Sequence, residues 1–120
     1  MFRISKQFGF SASHVLNCLG EEHPCAHLHG HNYLVTVHLQ AESLNEYGFV
    51  VDYRDLKLVK TYLDETLDHR HLNDILPFHP TAENIAQHIY DKFKDALPQM
   101  YAVEVSETPK TSAIYEPARK

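Results

Sequence analysis

The sequence contains no tryptophan, only two cysteines and four glycines, and no long run of apolar residues. A membrane-spanning helix needs about 20 consecutive apolar residues, so a membrane protein is not expected and the cytoplasm is favoured. Two cysteines are too few for the disulfide framework of a small secreted domain. Because cytoplasmic thiols stay reduced, we expect Cys18 and Cys25 as free thiols, with a disulfide between them as the alternative.

Clustered positive charge is also missing. The chain of 120 residues carries a net charge of −5 with histidine counted as neutral. Nucleic acids and anionic membranes are bound through Lys/Arg clusters, so neither is expected as a partner. The length indicates one domain, 1–120. A chain this short buries only about two-thirds of its unfolded surface, so metal binding or oligomerisation would add stability.

The order of helices and strands follows from apolar periodicity. Alternating apolar and polar residues predict strands at 2–14, 31–42, 100–107 and 111–116. Apolar residues at helical spacing predict two helices between the second and third strands. The first follows an Asp52 N-cap, and the second follows a Thr81 N-cap and ends at Pro98. This order indicates an α+β fold, with two helices packed on one face of an antiparallel four-stranded sheet.

Ten histidines are present, and three of them share a strand phase. His14 ends the apolar face of the first strand, while His29 and His31 begin that of the second. If the two strands pair as a hairpin, all three imidazoles converge at one end of the sheet. Three neutral imidazoles suit zinc and leave a fourth position open. The alternative is a set of ordinary loop histidines, among which His23 and His27 are competing ligand candidates.

Cys25 lies four residues before His29 and admits three interpretations. It could be a fourth zinc ligand that closes a structural site. It could instead be a base or nucleophile beside an open site, where a nearby cation favours the thiolate. The third interpretation is an inert buried thiol. Cys18 has no comparable companions and is interpreted as structural or incidental.

Two further polar features lie outside the histidine cluster. Asp68 precedes His69, and a carboxylate beside an imidazole suits proton transfer near neutral pH, although many loops contain such a pair. Glu107 occupies the apolar phase of its strand, where a carboxylate is costly to bury unless it is paired. It could accept two hydrogen bonds from a guanidine-like edge such as that of a pterin or guanine ring. Alternatively, the strand has ended and Glu107 is exposed.

Taken in order along the chain, the segments between Phe8 and Glu116 resemble the 6-pyruvoyl-tetrahydropterin synthase family. The resemblance rests on Phe10-Ser11-Ala12-Ser13-His14, Cys25-Ala26-His27-Leu28-His29-Gly30-His31-Asn32, Gly48-Phe49-Val50-Val51-Asp52-Tyr53, Leu67-Asp68-His69, Leu72-Asn73, Pro80-Thr81-Ala82-Glu83-Asn84 and Val105-Ser106-Glu107-Thr108. It implies a T-fold that associates into trimeric barrels, two of which stack as a homohexamer. It also implies active sites between subunits.

The resemblance further implies a role for each candidate residue. The zinc ligands correspond to His14, His29 and His31; the catalytic residues to Cys25, Asp68 and His69; and the pterin-binding residues to Glu107 and Thr81. The implied enzyme is a zinc-dependent carbon–carbon lyase, most similar to the 6-carboxy-5,6,7,8-tetrahydropterin synthase branch of queuosine biosynthesis. Its substrate would be 7,8-dihydroneopterin triphosphate, and its products 6-carboxytetrahydropterin, acetaldehyde and triphosphate.

Loop length separates the branches of this family. Three residues stand between Cys25 and His29, which resembles the carboxypterin branch. The pyruvoyl-forming branch has a longer gap, and a third branch has glutamate at the cysteine position. The rivals are therefore a 6-pyruvoyl-tetrahydropterin synthase and a non-catalytic, zinc-stabilised oligomerisation module closed by Cys25. A plain zinc hydrolase is disfavoured because no carboxylate base stands near His29.

Overall fold

Two thirteen-residue strands form the centre of the sheet. Strand β1 covers Phe2–His14 and strand β2 covers His29–Ala41. They pair antiparallel over their whole length, from Phe2 opposite Ala41 to His14 opposite His29. The predicted bounds of the first strand are confirmed, whereas the second strand begins two residues earlier than predicted. The hairpin thus extends to the histidines at its open end.

The computed structural model describes residues 1–16, 20, 22–23 and 26–118. Cys18 and Cys25 lie outside the described residues, and so does the disulfide weighed between them. Within the described ranges, no helix is both long and apolar enough to cross a lipid bilayer.

Three more strands extend the sheet beyond the central hairpin. Strand β3, Arg70–His71, pairs in parallel with β1 at Ala12 and Ser13. Strand β4, Met100–Thr108, pairs antiparallel with β2, and strand β5, Thr111–Tyr115, pairs antiparallel with β4. The resulting order is β3-β1-β2-β4-β5. The prediction of a four-stranded antiparallel sheet was therefore wrong, because a two-residue strand is too short to show alternation.

Helices connect the central hairpin to β4. Within the described residues these helices are α1 (Lys57–Tyr62), α2 (Leu72–Ile75) and α3 (Ala82–Phe93). A 3-10 turn (Tyr53–Leu56) precedes α1, and a π turn (Leu63–Leu67) follows it. Both predicted caps are confirmed, since Asp52 accepts a hydrogen bond from the Arg54 amide and Thr81 accepts one from the Asn84 amide. The short α2 was not predicted, because four residues show no helical period.

The core joins the helices to one face of the sheet. Fully buried helical residues include Leu56, Val59, Leu63, Leu67, Ile85 and Ile89, and they share one cluster with Phe8, Phe10, Tyr33, Val35 and Val37 of the sheet. Each such side chain stabilises the fold by about 1.5–3 kcal/mol relative to leaving it in water. Because His14 belongs to the same strand face as Phe8 and Phe10, the core also determines where that imidazole points.

One edge of the sheet is open over most of its length. Strand β3 covers β1 only near its end, at Ala12 and Ser13. Among the described residues, no strand pairs with the outer side of β1 from Phe2 to Phe10. The outer side of β5 is open in the same sense. Exposed edges of this length are templates for pairing with another chain.

A half-buried histidine between the helices gives the fold a pH dependence. Nε2 of His88 forms a hydrogen bond of 2.6 Å with the hydroxyl of Tyr62. Burial lowers the pKa of His88 from its ordinary 6.5, with Lys92 adding to the effect and Asp91 opposing it. Such a histidine binds protons more readily when unfolded. The stability that neutral His88 contributes to the folded protein is therefore fully present above about pH 6.5. It is lost as the pH falls through the pKa that His88 has in the folded protein.

We expect His88→Gln to weaken this pH dependence. The free energy of unfolding of the wild type should fall more steeply below about pH 6.5 than that of the variant. Urea unfolding at a series of pH values, with a chelator present in all samples, measures the difference. Parallel curves for the two proteins would contradict the assignment.

Candidate metal centre and its surroundings

Three histidines meet at the open end of the central hairpin. His14 lies opposite His29, and Ala12 lies opposite His31, so all three imidazoles leave the same face of the sheet. Their ligand atoms lie within 4.8 Å of one another, and the Nε2 atoms of His14 and His29 are 2.9 Å apart. His14 is only 1% exposed. The structure therefore brings together the three residues that strand phase singled out.

Backbone carbonyls set the orientation of two of these rings. Nδ1 of His14 donates to the carbonyl oxygen of Pro80 at 2.7 Å, with the hydroxyl of Tyr33 at 3.2 Å. Nδ1 of His29 donates to the carbonyl oxygen of His27 at 2.6 Å. A carbonyl oxygen can only accept, so both Nδ1 atoms carry the hydrogen. In the neutral rings the Nε2 atoms then carry lone pairs.

The donor set fits a metal ion. The Nε2 lone pairs of His14 and His29 face each other at 2.9 Å, an unfavourable contact unless a cation lies between them. Nε2 of His31 is buried and has no hydrogen-bond partner among the described residues. A buried nitrogen left unpaired costs about 1–3 kcal/mol. One cation would satisfy all three atoms, and rings oriented through Nδ1 are the usual arrangement of metal-binding histidines.

Glu107 lies beside this triad. Its carboxylate Oε2 is 3.7 Å from Nε2 of His31, and its side chain is 23% exposed. Burial lowers the pKa of His31, although the Glu107 carboxylate opposes the effect. The strand does not end before Glu107, because β4 continues to Thr108. The Glu107 carboxylate therefore lies next to the triad. It is not part of the group that could hold a metal, which among the described residues comprises the three histidines alone.

The Asp68–His69 pair forms a second cluster, held against β1. Asp68 Oδ1 accepts a hydrogen bond from the Ser11 amide at 2.8 Å, and Oδ2 accepts one from His69 Nδ1 at 2.8 Å. These two interactions, the Ser11 amide first, lower the pKa of Asp68. The carboxylate thus stays ionised in mild acid and fixes the hydrogen of His69 on Nδ1. Nε2 of the ring is left free to accept a proton.

The backbone of His69 is constrained as well. Its φ is +59°, and it is the only residue other than glycine with a positive φ in the described part of the chain. Its amide donates to the carbonyl oxygen of Ser11 at 2.6 Å. The left-handed region costs a residue with a Cβ about 1–2 kcal/mol. This conformation directs the imidazole outward, where its side chain is 82% exposed.

No side-chain contact joins the two clusters in the part of the chain that the structure describes. Among the described residues, the ring contacts of the triad involve only its own members and Tyr33. The recorded side-chain partner of His69 is Asp68. His31 and His69 nevertheless line one open pocket on the surface of this chain.

Thr81 is adjacent to the triad through the backbone. Its hydroxyl accepts from the Asn84 amide at 3.2 Å as the cap of α3, and the preceding residue, Pro80, supplies the carbonyl that orients His14. His27 was considered as a ligand, but its side chain is exposed and it contributes a carbonyl oxygen to His29. The exposed side chain of His23 also lies outside the group of three.

Sequence reasoning missed three parts of the site. Tyr33 could have been found, because it shares the strand phase of His29 and His31 and so points to the same side. The carbonyl oxygens of Pro80 and His27 leave no trace in the sequence, since every residue has one. Cys25, for which the family resemblance implies a catalytic role, lies outside the described residues.

Comparisons with known proteins place this chain in a family. The family model described as 6-pyruvoyl tetrahydropterin synthase matches residues 3–118. The chain is 30% identical to a 6-carboxy-5,6,7,8-tetrahydropterin synthase of Haemophilus influenzae over 97% of its length and 99% of the relative. It is 33% identical to a human 6-pyruvoyl tetrahydrobiopterin synthase, covering 95% of this chain and 90% of that protein.

Solved structures agree with the sequence comparison. The structure of Caenorhabditis elegans 6-pyruvoyl tetrahydropterin synthase superposes with a TM-score of 0.85 and 29% identity, covering 98% of this chain and 96% of that one. This likeness confirms the T-fold that the sequence resemblance implied, now with a mixed five-stranded sheet. The family model, the relatives and the fold agree that this chain is a member of the 6-pyruvoyl tetrahydropterin synthase family.

Proposed function

We propose that the protein is a 6-carboxy-5,6,7,8-tetrahydropterin synthase, a zinc-dependent lyase that acts on 7,8-dihydroneopterin triphosphate in 7-deazaguanine (queuosine) biosynthesis. The metal-dependent part rests on three converging Nε2 atoms at the end of the hairpin. Those of His14 and His29 carry lone pairs, because their Nδ1 atoms donate to carbonyl oxygens, and that of His31 is buried without a hydrogen-bond partner among the described residues. The choice of reaction is supported by the short gap between Cys25 and His29. It is also supported by relatives of that name in Haemophilus influenzae and Bacillus subtilis.

The chain's own residues divide the chemistry between binding and proton transfer. His14, His29 and His31 would hold zinc, which when bound supplies a Lewis acid for the side-chain hydroxyls of the substrate. The Glu107 carboxylate accepts hydrogen bonds from the guanidine-like edge of the pterin ring, and Thr81 lines the same pocket. The ring binding site thus begins beside His31, at the 3.7 Å contact with Glu107.

Proton transfer is assigned to Cys25 and to the Asp68–His69 pair. The Cys25 thiolate removes a proton from the substrate side chain, and Nε2 of His69 receives or returns protons while Asp68 holds the opposite nitrogen. Triphosphate leaves by elimination, and cleavage of the side chain with one water releases acetaldehyde and leaves the carboxyl group on the ring. The electrons lost by the side-chain carbons reduce the dihydropterin ring, so no nicotinamide is required. Because the thiol must stay reduced, we place the reaction in the cytoplasm.

Oligomerisation would join the two clusters. Among the described residues, no side-chain contact joins the triad to the Asp68–His69 pair, and no strand covers the outer edge of β5 or that of β1 from Phe2 to Phe10. We therefore propose that the working form is a homo-oligomer, a dimer of trimers, in which the pair of one subunit faces the triad of another. Edge pairing between subunits would close the sheet and remove the exposed edges.

Product identity tests the function directly. The purified, zinc-loaded protein is incubated with 7,8-dihydroneopterin triphosphate, and the products are identified by mass. Acetaldehyde and 6-carboxytetrahydropterin are expected. A product that retains the three-carbon side chain would instead indicate a 6-pyruvoyl-tetrahydropterin synthase. This activity is the second candidate, because the human relative is named a 6-pyruvoyl tetrahydrobiopterin synthase.

The same assay on Cys25→Ala separates an enzyme from a structural module. An enzyme with an open metal site should lose turnover while it keeps its metal, because three histidines still hold the ion. A module in which Cys25 closes a four-ligand site should lose metal and unfold on chelation, with no pterin bound at any stage. That second outcome would remove the catalytic proposal.

Replacement of Glu107 tests the pterin pocket. Glu107→Gln keeps the shape of the side chain but removes the charge, so hydrogen bonds to the ring lose roughly 1.5–3 kcal/mol. We expect KM to rise by about 10-fold or more, with metal content unchanged. Glu104→Gln is the matched control, because Glu104 is on the same strand and pairs with His38. An unchanged KM for Glu107→Gln would exclude the anchoring role.

A further inference from the structure

The most buried ligand of the triad depends on a loop for its orientation. His14 is 1% exposed, and the carbonyl oxygen of Pro80 accepts from its Nδ1 at 2.7 Å. If that carbonyl moved, the ring would lose the acceptor that fixes its hydrogen on Nδ1. The position of the Pro80 carbonyl is therefore part of the geometry of the site, and the groups that hold it are candidates for a functional role.

Asn84 holds this loop through two hydrogen bonds. Its side-chain Nδ2 donates to the carbonyl oxygen of His79 at 3.0 Å, and its amide donates to the hydroxyl of Thr81 at 3.2 Å. Thr81 in turn donates its own amide to the His79 carbonyl at 2.8 Å. The residues on both sides of Pro80 are thus tied to the first turn of α3, whose apolar residues lie in the core.

A second asparagine holds the backbone of His14 from the other side. Asn73 accepts from the Val15 amide at 2.9 Å and donates to the Val15 carbonyl at 2.7 Å. The Val15 amide belongs to the peptide that follows His14, and the Val15 carbonyl belongs to the next peptide, so these bonds fix the backbone on both sides of Val15. Asn73 lies in α2, which follows strand β3 directly.

We propose that Asn84 and Asn73 are positioning residues of the metal centre, which act on metal affinity by fixing the ring and the backbone of His14. This inference rests on the proposed metal site. Neither asparagine contacts a ligand nitrogen; Asn84 works through the Pro80 carbonyl and Asn73 through the Val15 peptide. Groups that orient metal ligands in this way commonly change metal affinity by about 10–100-fold when they are replaced.

Asn84→Asp separates positioning from structural support. Asn84 is the third residue of α3, where a carboxylate is favourable to the helix because it faces the positive end of the helix dipole. Stability of the metal-free protein should therefore be unchanged or slightly raised. The carboxylate cannot donate to the His79 carbonyl and repels it, so the Pro80 loop should shift. We expect zinc affinity to fall by about 10-fold.

Competition against a chromogenic chelator measures the affinity, and thermal unfolding of the metal-free protein measures the stability. Gln87→Glu is the matched control, an exposed amide-to-acid change on the same helix that should alter neither quantity. Asn73→Asp keeps the acceptor for the Val15 amide and loses the donor, so its affinity should also fall. The d–d spectrum of Co²⁺ loaded in place of zinc should broaden in both variants, as the ligand geometry becomes less uniform.

Three outcomes decide the inference. Weaker metal binding with intact metal-free stability supports it. Wild-type affinity in both Asn84→Asp and Asn73→Asp overturns it, and so does a matching loss of metal-free stability, which would make the asparagines structural. Absence of metal binding by the wild-type protein would remove the proposed metal site itself, whereas a wrong pterin product with normal metal binding would leave this inference standing.

Discussion

Purified His14→Ala protein is expected to contain less than about a tenth of the metal found in the wild type. His14 is the most buried ligand, and its Nδ1 is fixed by the Pro80 carbonyl, so its Nε2 is the best-positioned donor of the three. Two remaining imidazoles hold zinc far more weakly than three. Elemental analysis after gel filtration, with the protein concentration measured on the same sample, gives the metal content per chain.

His27→Ala provides the matched control. His27 differs from the three ligands in that its side chain is exposed and only its carbonyl oxygen contacts His29. Alanine supplies the same carbonyl, so the metal content should stay at the wild-type level. Equal metal in His14→Ala and wild type would contradict the assignment of the triad. Loss of metal from both variants would point to the loop, rather than to the ring nitrogens, as the source of binding.

Asp68→Asn is expected to lower kcat by about 100-fold or more, since a positioned proton-transfer group commonly contributes 10²–10⁴-fold. Asparagine can still accept from the Ser11 amide, so the strand contact is retained. Its NH₂ group, however, would face Nδ1 of His69 and force the hydrogen of the ring onto Nε2. The ring would then present a donor where the reaction needs an acceptor.

The kinetic signature distinguishes this effect from unfolding. Metal content and thermal stability of Asp68→Asn should remain close to those of the wild type, while kcat falls. Asp74→Asn, an exposed change six residues further along the chain, should leave kcat unaltered. Because the Ser11 amide and His69 lower the pKa of Asp68, wild-type activity should not decline through this carboxyl group until the pH falls below the ordinary carboxylate range.

Much of the fold could be predicted because its long strands are buried on one face only. The alternation from Phe2 to His14 gave the first strand its observed bounds, and the two polar caps, Asp52 and Thr81, were found from residue type. Strand β3 could not be found. Its two residues, Arg70 and His71, are polar, and they pair with β1 only because the preceding turn at His69 returns the chain to that edge.

The site was predictable to the extent that it depends on strand phase. His14, His29 and His31 share one face, and that fact alone placed their rings together. Glu107 was singled out as a candidate because its carboxylate interrupts the apolar phase of its strand, and it lies 3.7 Å from His31 in the structure. The roles of the Pro80 carbonyl and the Asn84 side-chain amide were not predictable. Pro80 contacts His14, 66 residues away in the sequence, and Asn84 contacts His79, 5 residues away. Neither contact leaves a periodic signal in the sequence.

The short parallel strand β3 has a consequence for assembly. It occupies the outer edge of β1 at Ala12 and Ser13 and leaves the edge free from Phe2 to Phe10. A strand from another copy could pair along that free edge for about 30 Å at 3.3 Å per residue, and would then meet β3. In such an assembly, strand β3 would block any register in which the added strand extends past Phe10. A two-residue strand would in this way limit how far two copies can slide along each other.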